Sequence, residues 1–455
     1  VRPNFLLITV DDMNYNSGDF LKDKSRRREL MPHVSRLMEE GMTFENSHVT
    51  IALCQPSRSV LMTGKYPHCN GAMGFEDIRK GVQTLTGILK KHGYYNGIIG
   101  KENHISPREQ FAWDIYEHTY DDEHDYGRNP ECYYELTKTF LKQVKEKQHP
   151  FFLMVNSHDP HRPFAGSEDE ISMFGRNIPY DKEFHADDVE VPAFLPDLPE
   201  IRMEFAQYLT SVYRADQMVG RVMTAVAEAG AEVFENTMVM FLSDNGMSMP
   251  FAKANCYLNS TKSPYVVSWK GHIKEGTVSN ALVASLDYMP TVLELAGIDC
   301  PADVNGKSFA HIFEDNDAEQ YEDIYTSFYK TAKNYVTKRE LQFPMRCVQN
   351  RQYAYIFNGW HGQEQQYRTE TMAGLTFKAM QEAAKTDEAI AGRVRMYCYR
   401  TPEELYDYIK DPDALHNLAE DPQYSHMVKE MRSKMCHYMK LSKDDLLDHF
   451  KETII

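Results

Sequence analysis

No run of 18 or more apolar residues occurs in this 455-residue sequence, so it offers no candidate for a membrane-spanning helix. Positive charge is also scarce: 50 Lys and Arg face 67 Asp and Glu, a formal balance of −17. That balance argues against broad nucleic-acid binding and requires any polyanionic substrate to meet a locally basic cleft. The densest basic stretch, KSRRRE (Lys24 to Glu29), reads as a solvated loop. The eight cysteines lack the close regular spacing of a disulfide scaffold or a zinc site. Internal repeats and low-complexity tracts are missing too. What remains, 42% hydrophobic and 26% charged residues, is the composition of a folded chain with a large core, long enough for two or three units.

The apolar pattern predicts an α/β fold. NFLLITV (Asn4 to Val10) is a short continuous apolar run, as expected of a strand covered on both faces. A helix, a glycine and a strand follow in MPHVSRLMEEGMTFENSHV, and the same grammar recurs in TLTGILKKHGYYNGIIGK. YELTKTFLKQVKEKQHPFFLMV supplies another helix and strand, FAQYLTSVYRADQMVGRVMTAVAEAG a long amphipathic helix, and TMVMFLS a further buried strand. This alternation indicates a mostly parallel sheet flanked by helices. After the acidic stretch EDNDAEQYED the texture changes: FPMRCVQNRQYAYIFN reads as two short strands, PEELYDYIKDPDALHNLAED as turns, and SHMVKEMRSKMCHYMK as a last helix. The expected division is a larger α/β domain over 1–335 and a smaller α+β unit over 336–455.

Chemically able residues cluster just after the predicted strands: Asp11 and Asp12, Lys101 and His104, His158 to His161, and Asp244 with Asn245. Open α/β sheets bind ligands at the carboxyl ends of their strands, so these segments are expected to share one cleft. Asp11, Asp12, Asp244 and Asn245 are hard oxygen donors suited to Ca²⁺ or Mg²⁺. Taken singly, DD suits a helix cap and SDNG an Asx-turn; together, at two strand ends, they favour a cation site. In CQPSR, Cys54 stands at a helix entrance, where free N–H groups attract anions; Pro56 suits the first turn, and Arg58 adds a planar donor array.

These phrases resemble the formylglycine-dependent sulfatases of the alkaline-phosphatase-like superfamily. CQPSR matches the C-x-P-S-R signature of that family, and MPHVSRLMEEGMTF, GYYNGIIGK, SDNG, SLDYMPTVLELAGI and ELYDYIKDPDALHNLAED match its other habitual segments in order along nearly the whole chain. HDPHRPF and FPMRCVQ resemble the heparan N-sulfatases in particular, although Pro163, the register of His104 and Lys253 in place of an arginine depart from them.

The resemblance implies that a formylglycine-generating or anaerobic sulfatase-maturating enzyme converts Cys54 to formylglycine, whose hydrate attacks sulfur over a bound Ca²⁺, with Mg²⁺ as the other option. It implies that Arg58, Lys101 and Lys253 neutralise charge in the transition state and that His104 acts as a base. His158, at a near-ordinary pKa, or Lys253 would be the acid. His161, Arg162 and Arg346 are expected to contact the sulfated saccharide, Arg346 having an interdomain ion pair as its alternative. The implied substrate is the N-sulfate of glucosamine in heparin or heparan sulfate. The alternatives are an O-sulfatase of another host or algal polysaccharide, a phosphonate or phosphodiester hydrolase, and an inactive glycan-binding relative. A single N-x-S/T sequon, Asn259 to Thr261, favours a periplasmic or secreted bacterial enzyme over a lysosomal one.

Overall fold

The computed structural model describes residues 2–331, 340–362 and 365–455. Eight strands form the larger sheet: β1 (Asn4–Val10), β2 (Met42–His48), β3 (Tyr95–Ile99), β4 (Ile115–Glu117), β5 (Phe151–Asn156), β6 (Thr237–Ser243), β7 (Tyr265–Ser268) and β8 (Thr277–Ala284). Their order is β4-β3-β5-β1-β6-β7-β2-β8. Only β7 runs against its neighbours; the other pairings are parallel.

Every residue of β1, β3, β5 and β6 is buried. The strand period of two divides them between two apolar layers. Leu6, Ile8 and Val10 of β1 join Leu153, Val155, Val239 and Phe241 on one face. Phe5 and Leu7 join Phe152, Met154, Met238 and Met240 on the other. The helices Pro130–Lys147 and Pro199–Glu228 cover the first face through residues such as Phe140, Val212 and Val219. The helices Leu85–Lys91 and Tyr288–Leu295 cover the second through Leu85, Leu89, Met289 and Val292.

A second, antiparallel sheet runs in the order β12-β11-β10-β9, from β9 (Ile324–Lys330), β10 (Gln342–Gln349), β11 (Tyr353–Asn358) and β12 (Glu403–Asp407). The helix Ser425–Ser442 lays Met431, Met435 and Met439 on it, and their apolar cluster is continuous with that of β1. The expected boundary at 335/336 lies outside the described residues; among those described, the second sheet already begins at Ile324, before that boundary. The segment read as turns contains β12, so a strand is added there.

Candidate active site

Four neighbouring strands deliver the site. β3, β5, β1 and β6 lie side by side, with Ile99 opposite Val155, Thr9 opposite Asn156, and Val10 opposite Ser243. Their carboxyl ends are therefore level, and Lys101, the segment Ser157–Arg162, Asp11–Asp12 and Asp244–Asn245 follow at one rim. Asp12 turns the chain with φ at +69°, a conformation that a short polar side chain tolerates. That turn is closed by the Asp12 N–H donating to Asp244 Oδ1 at 3.2 Å and the Met13 N–H donating to Ser243 Oγ at 2.8 Å.

Cys54 opens the helix Cys54–Thr63, which is buried along its whole length. Its Sγ lies 3.3 Å from Asp11 Oδ1 and 3.9 Å from Asp12 Oδ1. Arg58, one turn in, has no solvent exposure. Its Nη2 donates to Asp244 Oδ2 at 2.8 Å, and its Nη1 donates to Thr9 Oγ1 at 2.7 Å and to Asn156 Oδ1 at 2.6 Å. Burial, and then the charge of Asp11, push the Cys54 thiol well above its ordinary pKa. The unmodified side chain is thus a neutral thiol, a poor nucleophile.

Cations and carboxylates alternate around it. Lys101 pairs with Asp11. Lys253 Nζ lies 2.7 and 2.8 Å from the two oxygens of Asp12 and also pairs with Glu370. Burial opposes the charge on Asp11, but Lys101, followed by His161, Arg58 and Lys253, holds that carboxyl well below the usual range. Burial and the adjacent Asp11 push Asp244 well up against the pull of Arg58. Burial disfavours the Glu370 carboxylate as well, yet Lys253 and then His161 bring it down to about 2.

His104 and His158 stand over this cluster, each with a buried ring nitrogen, Nδ1 and Nε2 respectively, that has no hydrogen-bond partner. Burial, and then the charge of Lys101, hold both rings well below the ordinary histidine pKa. Both are therefore uncharged. For His104 this suits a base; for His158 it corrects the expectation of an acid with an ordinary pKa. His161 Nε2 lies 3.9 Å from Asp12 Oδ2.

The donor set fits a hard cation. Ligand atoms of Asp11, Asp12, Cys54 and Asp244, all buried, lie within 4.8 Å of one another. Asn245 donates from Nδ2 to Asp12 Oδ1 at 2.6 Å, while its Oδ1 is buried without a partner, an unused acceptor beside three carboxylates. Asp12, His161 and Glu370 form another close trio, but the Lys253 ammonium is already bonded to two of its members.

The family described as Sulfatase matches residues 3–298. The chain belongs to the sulfatase family. It is a hydrolase of the formylglycine-dependent superfamily, and its cluster of buried Asp and Cys with the half-buried His161 is consistent with metal-dependent, formylglycine-using chemistry. A second family, N-sulphoglucosamine sulphohydrolase, C-terminal, matches residues 246–368. Human N-sulphoglucosamine sulphohydrolase is 29% identical over 96% of this chain and 90% of its own length. An ulvan-active sulfatase of Formosa agariphila is 28% identical over 98% of this chain and 82% of its own. In fold, the sulfatase matches a protein solved in complex with its substrate D-glucosamine-2-N,6-O-disulfate, with a TM-score of 0.71 at 19% identity over 98% of this chain and 99% of the other. Among the described residues, no helix of this sulfatase is long and apolar enough to cross a membrane.

Two of the expected saccharide contacts have their donors engaged within the sulfatase. Arg346 is buried in the second sheet, where Nε and Nη2 donate to Asp444 Oδ2 and Oδ1 at 2.6 and 3.0 Å, and Nη1 donates to the carbonyls of Phe328 and Met345. Its donors are spent inside the protein in an ion pair, but with Asp444 of the same expected unit, so the pair is not the interdomain one. Arg162 donates to the Ser248 carbonyl from Nε and Nη2 and pairs with Glu204, which ties the HDPHRPF turn to the long helix instead of offering a free charge. Conversely, sequence reasoning passed over Asn156 and Glu370. Asn156, at the end of β5, could have been found as a polar residue closing an apolar strand, whereas Glu370 carries no local signal.

Proposed function

We propose that this sulfatase hydrolyses the N-sulfate of glucosamine in heparin or heparan sulfate fragments, with formylglycine made from Cys54 as nucleophile and Ca²⁺ held by Asp11, Asp12, Asp244 and Asn245. The observation that carries the substrate is the likeness to human N-sulphoglucosamine sulphohydrolase over nearly the full length of both chains, with its C-terminal family spanning the Lys253 loop. A bound divalent ion would polarise sulfate oxygens and lower the pKa of a neighbouring hydroxyl. The protein's own residues do the rest. Arg58, fixed by three hydrogen bonds, holds the position 54 side chain against a rigid positive wall. Lys101 and Lys253 neutralise charge that grows on the sulfate as its bond to the leaving group breaks. Lys253, kept protonated by Asp12 and Glu370 despite its burial, is the group that carries a proton toward the leaving nitrogen. Neutral His158 donates a hydrogen bond there, and neutral His104 accepts a proton at the nucleophile side.

A second reading, an O-sulfatase of an algal polysaccharide, is favoured by the ulvan-active relative of similar identity. Incubation with disaccharides carrying a single N-, 6-O- or 2-O-sulfate, with ulvan oligosaccharides alongside, separates the two by sulfate release. Release from the N-sulfated sugar is expected; release from O-sulfated substrates alone overturns the N-sulfate assignment.

A further inference from the structure

Among the described residues, three aromatic side chains are exposed: Phe75 at 42%, Tyr120 at 41% and Tyr399 at 54%. Two of the three lie against histidines of the active site. The Phe75 ring meets His104 edge-on, with centroids 5.8 Å apart and an angle of 78°. Tyr120 stacks on His158 at 4.8 Å and 27°. Exposed rings packed against the histidines of a charged site offer apolar surface beside convergent polar groups, the combination found in ligand sites.

Neither ring sits on a loose support. Gln55, the neighbour of the nucleophile position, donates from Nε2 to the Glu76 carbonyl at 3.0 Å and to Ser106 Oγ at 3.2 Å. It thereby ties the Phe75 loop and the segment after His104 to the start of the buried helix. The Ile78 N–H donates to the Ser106 carbonyl at 3.2 Å, and Glu76 pairs with Lys330 of β9 at 2.5 Å. On the other side, His118 bridges the buried Glu102, beside Lys101, at 2.5 Å and the Tyr120 carbonyl at 3.2 Å. Both rings are fixed relative to the residues that would face the sulfate, without themselves filling the core.

We propose that Phe75 and Tyr120 form the platform for the sugar ring that bears the sulfate, taking its apolar C–H face while the sulfate descends to Arg58, Lys101 and Lys253. A pyranose ring fits because it joins an apolar face to polar edges, the combination an aromatic wall beside charged groups accepts. The inference rests on the saccharide reading above but not on which position of the sugar carries the sulfate.

The test is steady-state kinetics on whichever sulfated disaccharide the wild-type enzyme cleaves, using Phe75→Ala, Tyr120→Ala and Tyr120→Phe, with competition by inorganic sulfate as a second readout. Each alanine variant is expected to raise KM roughly tenfold, the factor that about 1.4 kcal/mol represents, while kcat changes less than about threefold. Tyr120→Phe, which keeps the ring, should keep the wild-type KM, and the inhibition constant of inorganic sulfate should stay unchanged in all three. A KM for Phe75→Ala within about twofold of wild type overturns the platform. So does a sulfate inhibition constant that rises in step with KM, because the rings would then be supporting the histidine loops. Cleavage of an O-sulfated sugar alone removes the N-sulfate reading and leaves the platform to be judged by KM; cleavage of no saccharide overturns both.

Discussion

Replacing Asp444 with asparagine should destabilise the protein strongly and leave substrate affinity alone, and the size of the effect follows from its surroundings. Asp444 accepts from Nε and Nη2 of the buried Arg346, from the Tyr325 hydroxyl at 2.8 Å and from the Leu446 N–H at 3.0 Å. Burial opposes its charge, but Arg346 outweighs burial and brings the carboxyl from 3.8 to about 2. A little under two pK units, at roughly 1.4 kcal/mol each, makes the charged form worth about 2 kcal/mol to folding. Because the folded pKa is depressed, that contribution is complete above the unfolded pKa near 4 and is lost as pH falls through about 2. Asp444→Asn also strands the Arg346 charge in the interior, where breaking one side of an ion pair costs roughly 3–5 kcal/mol. Urea unfolding, followed by the fluorescence of the buried Trp360 beside Phe343, should show a deficit of about 2–5 kcal/mol that is constant from about pH 5 to 8 and narrows below about 4. KM of the folded variant should match wild type. A stable variant with a raised KM would refute the reasoning and return Arg346 to the substrate.

Cys54→Ala should remove turnover while leaving the thermal midpoint within a few degrees of wild type, and a peptide containing CQPSR from active enzyme should show the mass of an aldehyde and react with a hydrazide. Asp244→Ala, or chelation of the wild type, should abolish activity and also weaken binding of inorganic sulfate by at least about tenfold, measured by calorimetry. Glu370→Gln should lower kcat roughly tenfold by loosening Lys253, yet tighten sulfate binding because one negative charge leaves the cleft; equal losses in both quantities would contradict that assignment.

The strands that carry the site were legible because each is buried on both faces, which forces a continuous apolar run: NFLLITV and TMVMFLS coincide with β1 and the whole of β6. β7 was not, since its four residues YVVS are too short to show a period, and its antiparallel insertion depends on neighbours distant in sequence. β9, IYTSFYK, was passed over between an acidic stretch and the change of texture that suggested a later boundary. Acids and cations at strand ends could be read from position alone. The uncharged state of His104 and His158 could not, because it follows from burial and from Lys101, neither of which the local sequence displays. Glu370 reaches Lys253 from a short turn in the C-terminal part, so only tertiary structure brings the two together.

The charge count at the cleft explains why an acidic protein can bind an anion there, and why the ion matters for binding as well as for chemistry. Three cations, Arg58, Lys101 and Lys253, are each bonded to a carboxylate: Asp244, Asp11, and Asp12 together with Glu370. Counting these groups alone, and leaving aside His161, whose charge also bears on Asp11 and Glu370, four acids against three cations leave no positive excess. Even a protonated Asp244, the direction in which burial and Asp11 push it, brings these seven groups only to balance. A bound divalent cation would reverse that sign and bring Asp244 back to the charged form, since a local ion inverts the pKa preferences of its ligands. The buried lysines and arginine thus act as organisers of the acids that hold the ion, and the net attraction for sulfate comes from the assembled set. This is the reason chelation is expected to cost sulfate affinity, and the reason Glu370, the most exposed of the four acids, is the one whose neutralisation should improve it.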